Sequence, residues 1–146
     1  VTIQLKRVYD PVEPSDGERY LVERLWPRGM RRDNLVITAW LREVAPSDAV
    51  RRWFGHDLAK WPEFQQRYRE ELLAHPQAWE PLLAAAQRGP ITLLYSARDR
   101  VHNSAVVLRA FLEERLHSAG ERTEETATSG GFTQREAWVE DERTTP

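Results

Sequence analysis

Pro90-Ile91-Thr92-Leu93-Leu94-Tyr95 decides the fold. A proline opens it, no charge interrupts it, and five residues run on almost without a polar side chain. That is the pattern of a strand covered on both faces, as in a parallel sheet, not of an alternating surface strand. Ser96–His102 (SARDRVH) follows as a loop. Asn103–Leu116 then reads as a helix, with Val106, Val107, Ala110 and Phe111 expected to face inward. Upstream, Trp61, Phe64, Tyr68 and Leu72 fall three, four and four apart, one face of an amphipathic helix with Pro62 in its first turn. His75-Pro76 ends that helix, and Trp79, Leu82, Leu83 and Ala86 repeat the pattern as far as Gly89. Ser47 after Pro46 is placed to cap a shorter helix that stops near Gly55.

Nearer the start, Thr2–Tyr9 is β-rich and partly alternating, with Ile3, Leu5 and Arg7 on one face. Asp10–Glu18 carries two prolines and Asp-Gly and reads as a loop. Arg19–Leu25 is a second strand, stopped by Pro27 and Gly29. Asp33–Glu43 is ambiguous: Val36, Ile37, Trp40 and Leu41 suit a helix face, yet Val-Ile-Thr is strand-like. A short helix or an irregular packing segment is the expectation there. Strands first, helices in the middle, then strand–loop–helix make an α/β layered domain: a small, mostly parallel sheet with helices packed on it. This compact domain spans 1–116. Residues 117–146 form an acidic tail of low apolar content, in which 118–131 is not expected to order, since it cannot bury enough surface. Thr133 and Glu136 have capping-box spacing for a short helix at 133–141 carrying Trp138.

The chain has 146 residues, a net charge of −2, six tryptophans and no cysteine. Without cysteine there are no disulfides, thiolate zinc sites, iron–sulfur clusters or cysteine nucleophiles. No stretch approaches the ~18–20 apolar residues of a membrane span, and no basic-then-apolar leader is visible at Val1. A cytoplasmic location is therefore expected. The tail holds three Arg against seven acids, leaving 18 cations against 16 acids in residues 1–116. That mild basicity does not favour a dedicated nucleic-acid binder. Nor is there a glycine-rich phosphate loop, a dinucleotide fingerprint, a nucleophile elbow or an H-E-x-x-H pair.

Chemistry is expected at the carboxyl ends of the strands, where α/β sheets bind ligands. Tyr95, Ser96, Arg98, Asp99, His102 and Asn103 lie directly after the apolar strand, at the positive end of the next helix. Arg98 would grip a phosphate or carboxylate, and Asp99 or His102 would move a proton. The alternative is that Asp99 or Asn103 caps the helix and Arg98 pairs with a surface acid. Glu23-Arg24-Leu25-Trp26-Pro27-Arg28-Gly29 ends the second strand, where Arg24 and Arg28 would flank Trp26 as a flat wall. Its bland counterpart makes Trp26 core and pairs Glu23 with Arg24 or Arg28. In Trp53-Phe54-Gly55-His56-Asp57, His56 is a third proton-transfer candidate, with Asp57 read as a helix cap. A metal needs three or four ligands, and these neighbours do not supply them.

Leu5-Lys6-Arg7-Val8-Tyr9-Asp10, Arg24-Leu25-Trp26-Pro27-Arg28-Gly29, Trp53-Phe54-Gly55-His56-Asp57 with Lys60-Trp61, and Thr92–Asp99 with His102-Asn103 together resemble the YeaO-like proteins, a bacterial branch of a large family of unknown function. The resemblance covers about residues 2–116 and implies a compact cytoplasmic α/β domain with no established activity. Longer relatives carry cysteines near where Tyr95 and Asn103 stand, so their thiol or metal chemistry does not transfer. The branch pattern often has Asp in place of Glu23. The expectation is a pocket for a small anionic ligand at the sheet's carboxyl edge. Arg24, Arg28 and Arg98 would grip the ligand and Trp26 and Tyr95 would wall it. His56, Asp99 or His102 would serve any catalysis. The rival is a nucleic-acid or protein-binding module using Arg28, Arg31, Arg32, Arg51 and Arg52, its surface regulated by the acidic tail. The residues name no cofactor and no oligomeric state.

Overall fold

A central strand needs apolar residues on both faces, and Ile91–Tyr95 supplies them. In the computed structural model, which describes residues 1–129 and the side chains of 1–118, this strand is β4 and all five of its residues are buried. It pairs on one side with β1 (Ile3–Arg7) and on the other with β2 (Glu18–Leu21), and β2 pairs in turn with the two-residue β3 (Ala39–Trp40). All pairings are parallel and the order is β1-β4-β2-β3. The second strand ends four residues before the expected Leu25, because the chain leaves the sheet to pack Trp26. Asp33–Glu43 is not a helix: it holds a 3-10 turn at Arg32–Asn34, then β3, then a second turn beginning at Arg42. Its β-branched Val-Ile-Thr run favours extended backbone over a helical turn.

Side chains alternate across the sheet. Gln4, Lys6, Arg19, Leu21, Thr92 and Leu94 share one face by register. The two loops joining β1 to β2 and β2 to β3 cover it. Asp16 of the first loop is buried against Lys6 and Arg19. From the second, Leu35, Trp26, Met30 and Ile37 pack on Val8, Leu21 and Leu94. Both connections step the same way along the sheet. The connection from β3 to β4 steps back, and a right-handed crossover then requires the opposite face. That face, with Ile3, Tyr20, Ile91 and Leu93 buried, belongs to the helices.

Helix α1 (Asp48–Phe54) is capped by the Ser47 hydroxyl, which accepts from the Val50 N–H at 3.2 Å, and it stops at left-handed Gly55. Helix α2 (Trp61–Ala74) buries Phe64, Tyr68 and Leu72, the stripe expected of it. Helix α3 (Pro76–Arg88) buries Trp79, Leu82, Ala85 and Ala86. Helix α4 (Ser104–Ser129) buries Ala105, Val107, Leu108, Phe111 and Leu112. Its inner stripe thus differs from the one expected: Ala110 is exposed and Val106 half-buried, because the face rotates with the helical period. The helix also continues beyond Leu116 to Ser129, into the stretch expected not to order. Polarity argues against burial but not against helix, and Ala119, Glu121, Arg122, Glu124, Glu125 and Ala127 are good helix formers around a single Gly120. The chain divides after Glu113, and the site below belongs to the first unit. The short helix expected at 133–141, with Trp138, lies outside the described residues. Among the described residues no helix is long and apolar enough to cross a membrane.

Candidate functional site

Parallel strands bring their carboxyl ends to one edge, so Arg7, Val22 and Tyr95 finish side by side. Connections leaving β1 and β2 cross one face, whereas β4 leads into α4 on the other. An α/β sheet opens a ligand crevice where neighbouring connections diverge in this way. Here β4 has such a divergence on each flank.

Both are filled by the chain's own groups. On the β2 flank, Glu23 accepts hydrogen bonds from the Ser96 amide at 3.0 Å and the Ser96 hydroxyl at 2.6 Å. A backbone N–H beside a hydroxyl is a cradle for an anion, and the Glu23 carboxylate occupies it. On the β1 flank, Arg7 donates through Nε to the Ala97 carbonyl (2.8 Å) and through Nη2 to that of Ser96 (2.9 Å). Beside it Arg100 grips Asp10 with two parallel bonds of 3.0 and 2.8 Å, against Tyr95, whose side chain is buried.

The remaining loop residues divide between capping and display. Asn103 accepts from the Val106 N–H at 3.1 Å and donates to the Asp99 carbonyl at 2.9 Å, which makes it the cap of α4. One Asp99 oxygen accepts from the Val101 and His102 amides, both at 2.9 Å, and the other lies 3.0 Å from His102 Nδ1. Those two backbone bonds, with His102 itself, hold the Asp99 carboxyl below the ordinary range. His102 is thereby oriented, with its ring edge-on to Trp61 at 5.1 Å. This is the geometry of a base and its orienting carboxylate. Exposed His56 follows Gly55 in the left-handed region (φ 59°) and lies 6.3 Å from Phe54, which itself packs on Trp61. The two histidines therefore edge one aromatic cluster. Arg98 is exposed and has no partner among the described residues; neither has the side chain of exposed Arg28. Among those residues no group of three or more His, Asp or Glu is placed to hold a metal.

Arg24 does not join this edge loop. It donates to the Ala45 and Pro46 carbonyls, at 3.1 Å each, and lines a cavity of about 210 Å³ with Glu43, Tyr68, Glu71 and His75. Trp26 serves both readings: it packs on the core cluster and donates to the Met30 carbonyl at 2.5 Å, yet stays half-buried beneath Arg32. Sequence reasoning missed the Glu23–Ser96 bond and the roles of Arg7, Asp10 and Arg100. Arg7 falling on the same strand face as Ile3 and Leu5 was the available signal.

Residues 2–130 match the family described as the inactive DUF488-N3 subclade. The chain belongs to that family. It is similar to the uncharacterised protein YeaO of Escherichia coli K12, with 43% identity over 112 residues, covering 77% of this chain and 97% of YeaO. It is also similar to the uncharacterised proteins Mb3100c of Mycobacterium bovis and Rv3073c of Mycobacterium tuberculosis H37Rv. Each is 35% identical over 113 residues, covering 77% of this chain and 95% of the relative. No solved structure matches.

In this member of the DUF488-N3 subclade the filled edge has a titration signature. The Arg100 hydrogen bonds, together with the Arg7 amide, hold Asp10 down to about 2, below its ordinary 3.8. Since the folded value lies below the unfolded one, Asp10 stabilises the fold above about pH 4, and that contribution is lost as pH falls through about 2. Arg100 is half exposed, so about 1 kcal/mol is expected after screening. Urea unfolding at stepped pH should show that Asp10→Asn removes this part of the acid slope and leaves stability above pH 5 lower by the same amount.

Proposed function

We propose that the chain is a cytoplasmic, non-catalytic binding domain that receives an anionic group, phosphate or carboxylate, on the outer surface of the carboxyl-edge loop. One observation carries this reading. The two crevices are closed by Glu23 and by Arg7, Asp10 and Arg100, while Arg28 and Arg98 face solvent without partners among the described residues. The groups that would line a buried reaction centre at this edge are already bonded to one another, whereas a surface cation beside the Asp99-oriented His102 has the chemistry to hold an anion. The description of the subclade as inactive supports the same reading.

Titrating isotope-labelled protein with pyrophosphate, citrate and nucleoside phosphates tests it. Amide shifts should gather at residues 96–103. A ligand at a hundred times its dissociation constant should stabilise the fold by about 2.7 kcal/mol, raising Tm by on the order of 10 °C. Arg98→Ala should abolish most of that rise without lowering the unliganded Tm. A flat response across the anions, or a response indifferent to Arg98→Ala, overturns the reading.

A further inference from the structure

We propose that the segment from Arg24 to Arg42 is a stacking platform for single-stranded nucleic acid. Its nineteen residues hold five arginines against one acid, Asp33, in a chain whose net charge is −2. Arg24 is committed to the Ala45 and Pro46 carbonyls, which leaves Arg28, Arg31, Arg32 and Arg42, all exposed. The sheet edge at β3 brings Trp40 against Trp26, edge to face at 5.3 Å. Arg32 lies over both rings, at 4.5 and 5.1 Å, and Arg42 covers Trp40 at 4.1 Å. The indoles rest on the Val8, Leu21, Leu35 and Leu94 cluster, so the guanidinium planes form the outer layer of the stack.

Packing does not require that outer layer, since the core cluster closes beneath the indoles. What it provides is a set of flat, charged groups held over the rings below. Bases stack on aromatic rings and on guanidinium planes alike, and adjacent arginines meet the phosphates. A duplex hides the faces of its bases, so the matching partner is unpaired. Arg31 is only loosely held by Asp33, at 3.5 Å between two exposed side chains, and the carbonyl of exposed Arg28 accepts from the hydroxyl of exposed Tyr9 at 2.8 Å. None of these arginines belongs to the 96–103 loop, and the proposal stands whether or not that loop binds a small anion.

The test uses the full chain with labelled oligo(dT) and oligo(rU) of about twelve nucleotides, within the site sizes of such proteins, followed by anisotropy and tryptophan quenching. With about four phosphates engaged, affinity should fall roughly 50-fold between about 50 and 200 mM salt. Arg28→Gln with Arg31→Gln should roughly halve the slope of log affinity against log salt. Arg42→Gln should weaken binding at least about fivefold and reduce the quenching. Arg98→Ala should leave this binding unchanged, which separates it from the anion reading. The proposal is overturned by no complex at low salt, by a duplex bound as tightly as the single strand, or by indifference to the Arg28, Arg31 and Arg42 changes. Polyglutamate bound as tightly as the oligonucleotides also overturns it, assigning the surface to acidic proteins.

Discussion

Asp16→Ala is expected to destabilise the fold by about 3–5 kcal/mol, a large share of the ~5–15 kcal/mol that holds a domain of this size. Asp16 is 1% exposed, and one of its oxygens accepts from Lys6 Nζ at 2.8 Å while the other accepts from Arg19 and from the Glu13 amide. Burial by itself would raise the Asp16 carboxyl; the Lys6, Glu13 and Arg19 hydrogen bonds outweigh it and hold it below the ordinary value. Removing the carboxylate leaves the buried Arg19 without its countercharge, and the loop from β1 to β2 without its anchor on the sheet. Chemical denaturation should register the loss as a lower midpoint with an unchanged slope. Glu63→Ala, which breaks the exposed pair with Arg67, should change stability by less than about 1 kcal/mol. Equal effects from the two substitutions would show that the Asp16 network contributes nothing beyond a surface ion pair.

That network also shows what the amino-acid sequence could and could not disclose. Ile91–Tyr95 was legible because an uncharged run is a local signal, and α1, α2 and α3 were legible from caps and from spacings of three and four. Lys6 is different. Strand alternation places it on a face with Val8 and Leu94, but a lysine on a covered face makes sense only once Asp16, ten residues away, is known to meet it. β3 was hidden for a related reason: two residues make a strand only because β2 lies alongside, with the Leu41 amide donating to the Leu21 carbonyl at 2.8 Å.

The candidate site divides along the same line. Its place at the carboxyl edge followed from the parallel pattern alone, and Asn103 as a helix cap was one of the two readings the residues allowed. The partner of Glu23 was not readable. Neighbouring arginines were the local choices, yet the carboxylate reaches Ser96, 73 positions along the chain, because β2 and β4 end together. Arg24, one residue later, leaves that edge for the Ala45–Pro46 corner. Adjacent positions on an extended chain point to opposite sides, so one motif can serve two places.

Gly17 governs that register from the opposite end of the same two strands, and Gly17→Ala is the second substitution expected to be severe. Gly17 has φ +64°, and a Cβ there would sit 2.0 Å from the Pro90 carbonyl oxygen, which is backbone and cannot swing aside. The same oxygen accepts from the Glu18 amide at 3.2 Å, the first bond joining β2 to β4. An alanine must therefore push Pro90 away, break that bond and adopt a left-handed conformation, at a combined cost of about 3 kcal/mol or more. Tm should fall by on the order of 10 °C. Because Glu18 pairs with Ile91 and Leu21 with Leu94, a displacement at this end travels along the ladder toward Glu23 and Ser96. The Ser96 amide resonance should shift in Gly17→Ala even though the substitution lies at the far edge of the sheet. Gly89→Ala is the matched comparison: extended backbone, with nothing within 4 Å of the added carbon. It should change stability by less than about 1 kcal/mol and leave Ser96 where it is. If Gly17→Ala proves as mild as Gly89→Ala, the close approach of Gly17 to Pro90 does not set the β2–β4 register, and Glu23 must be held at Ser96 by the edge loops alone.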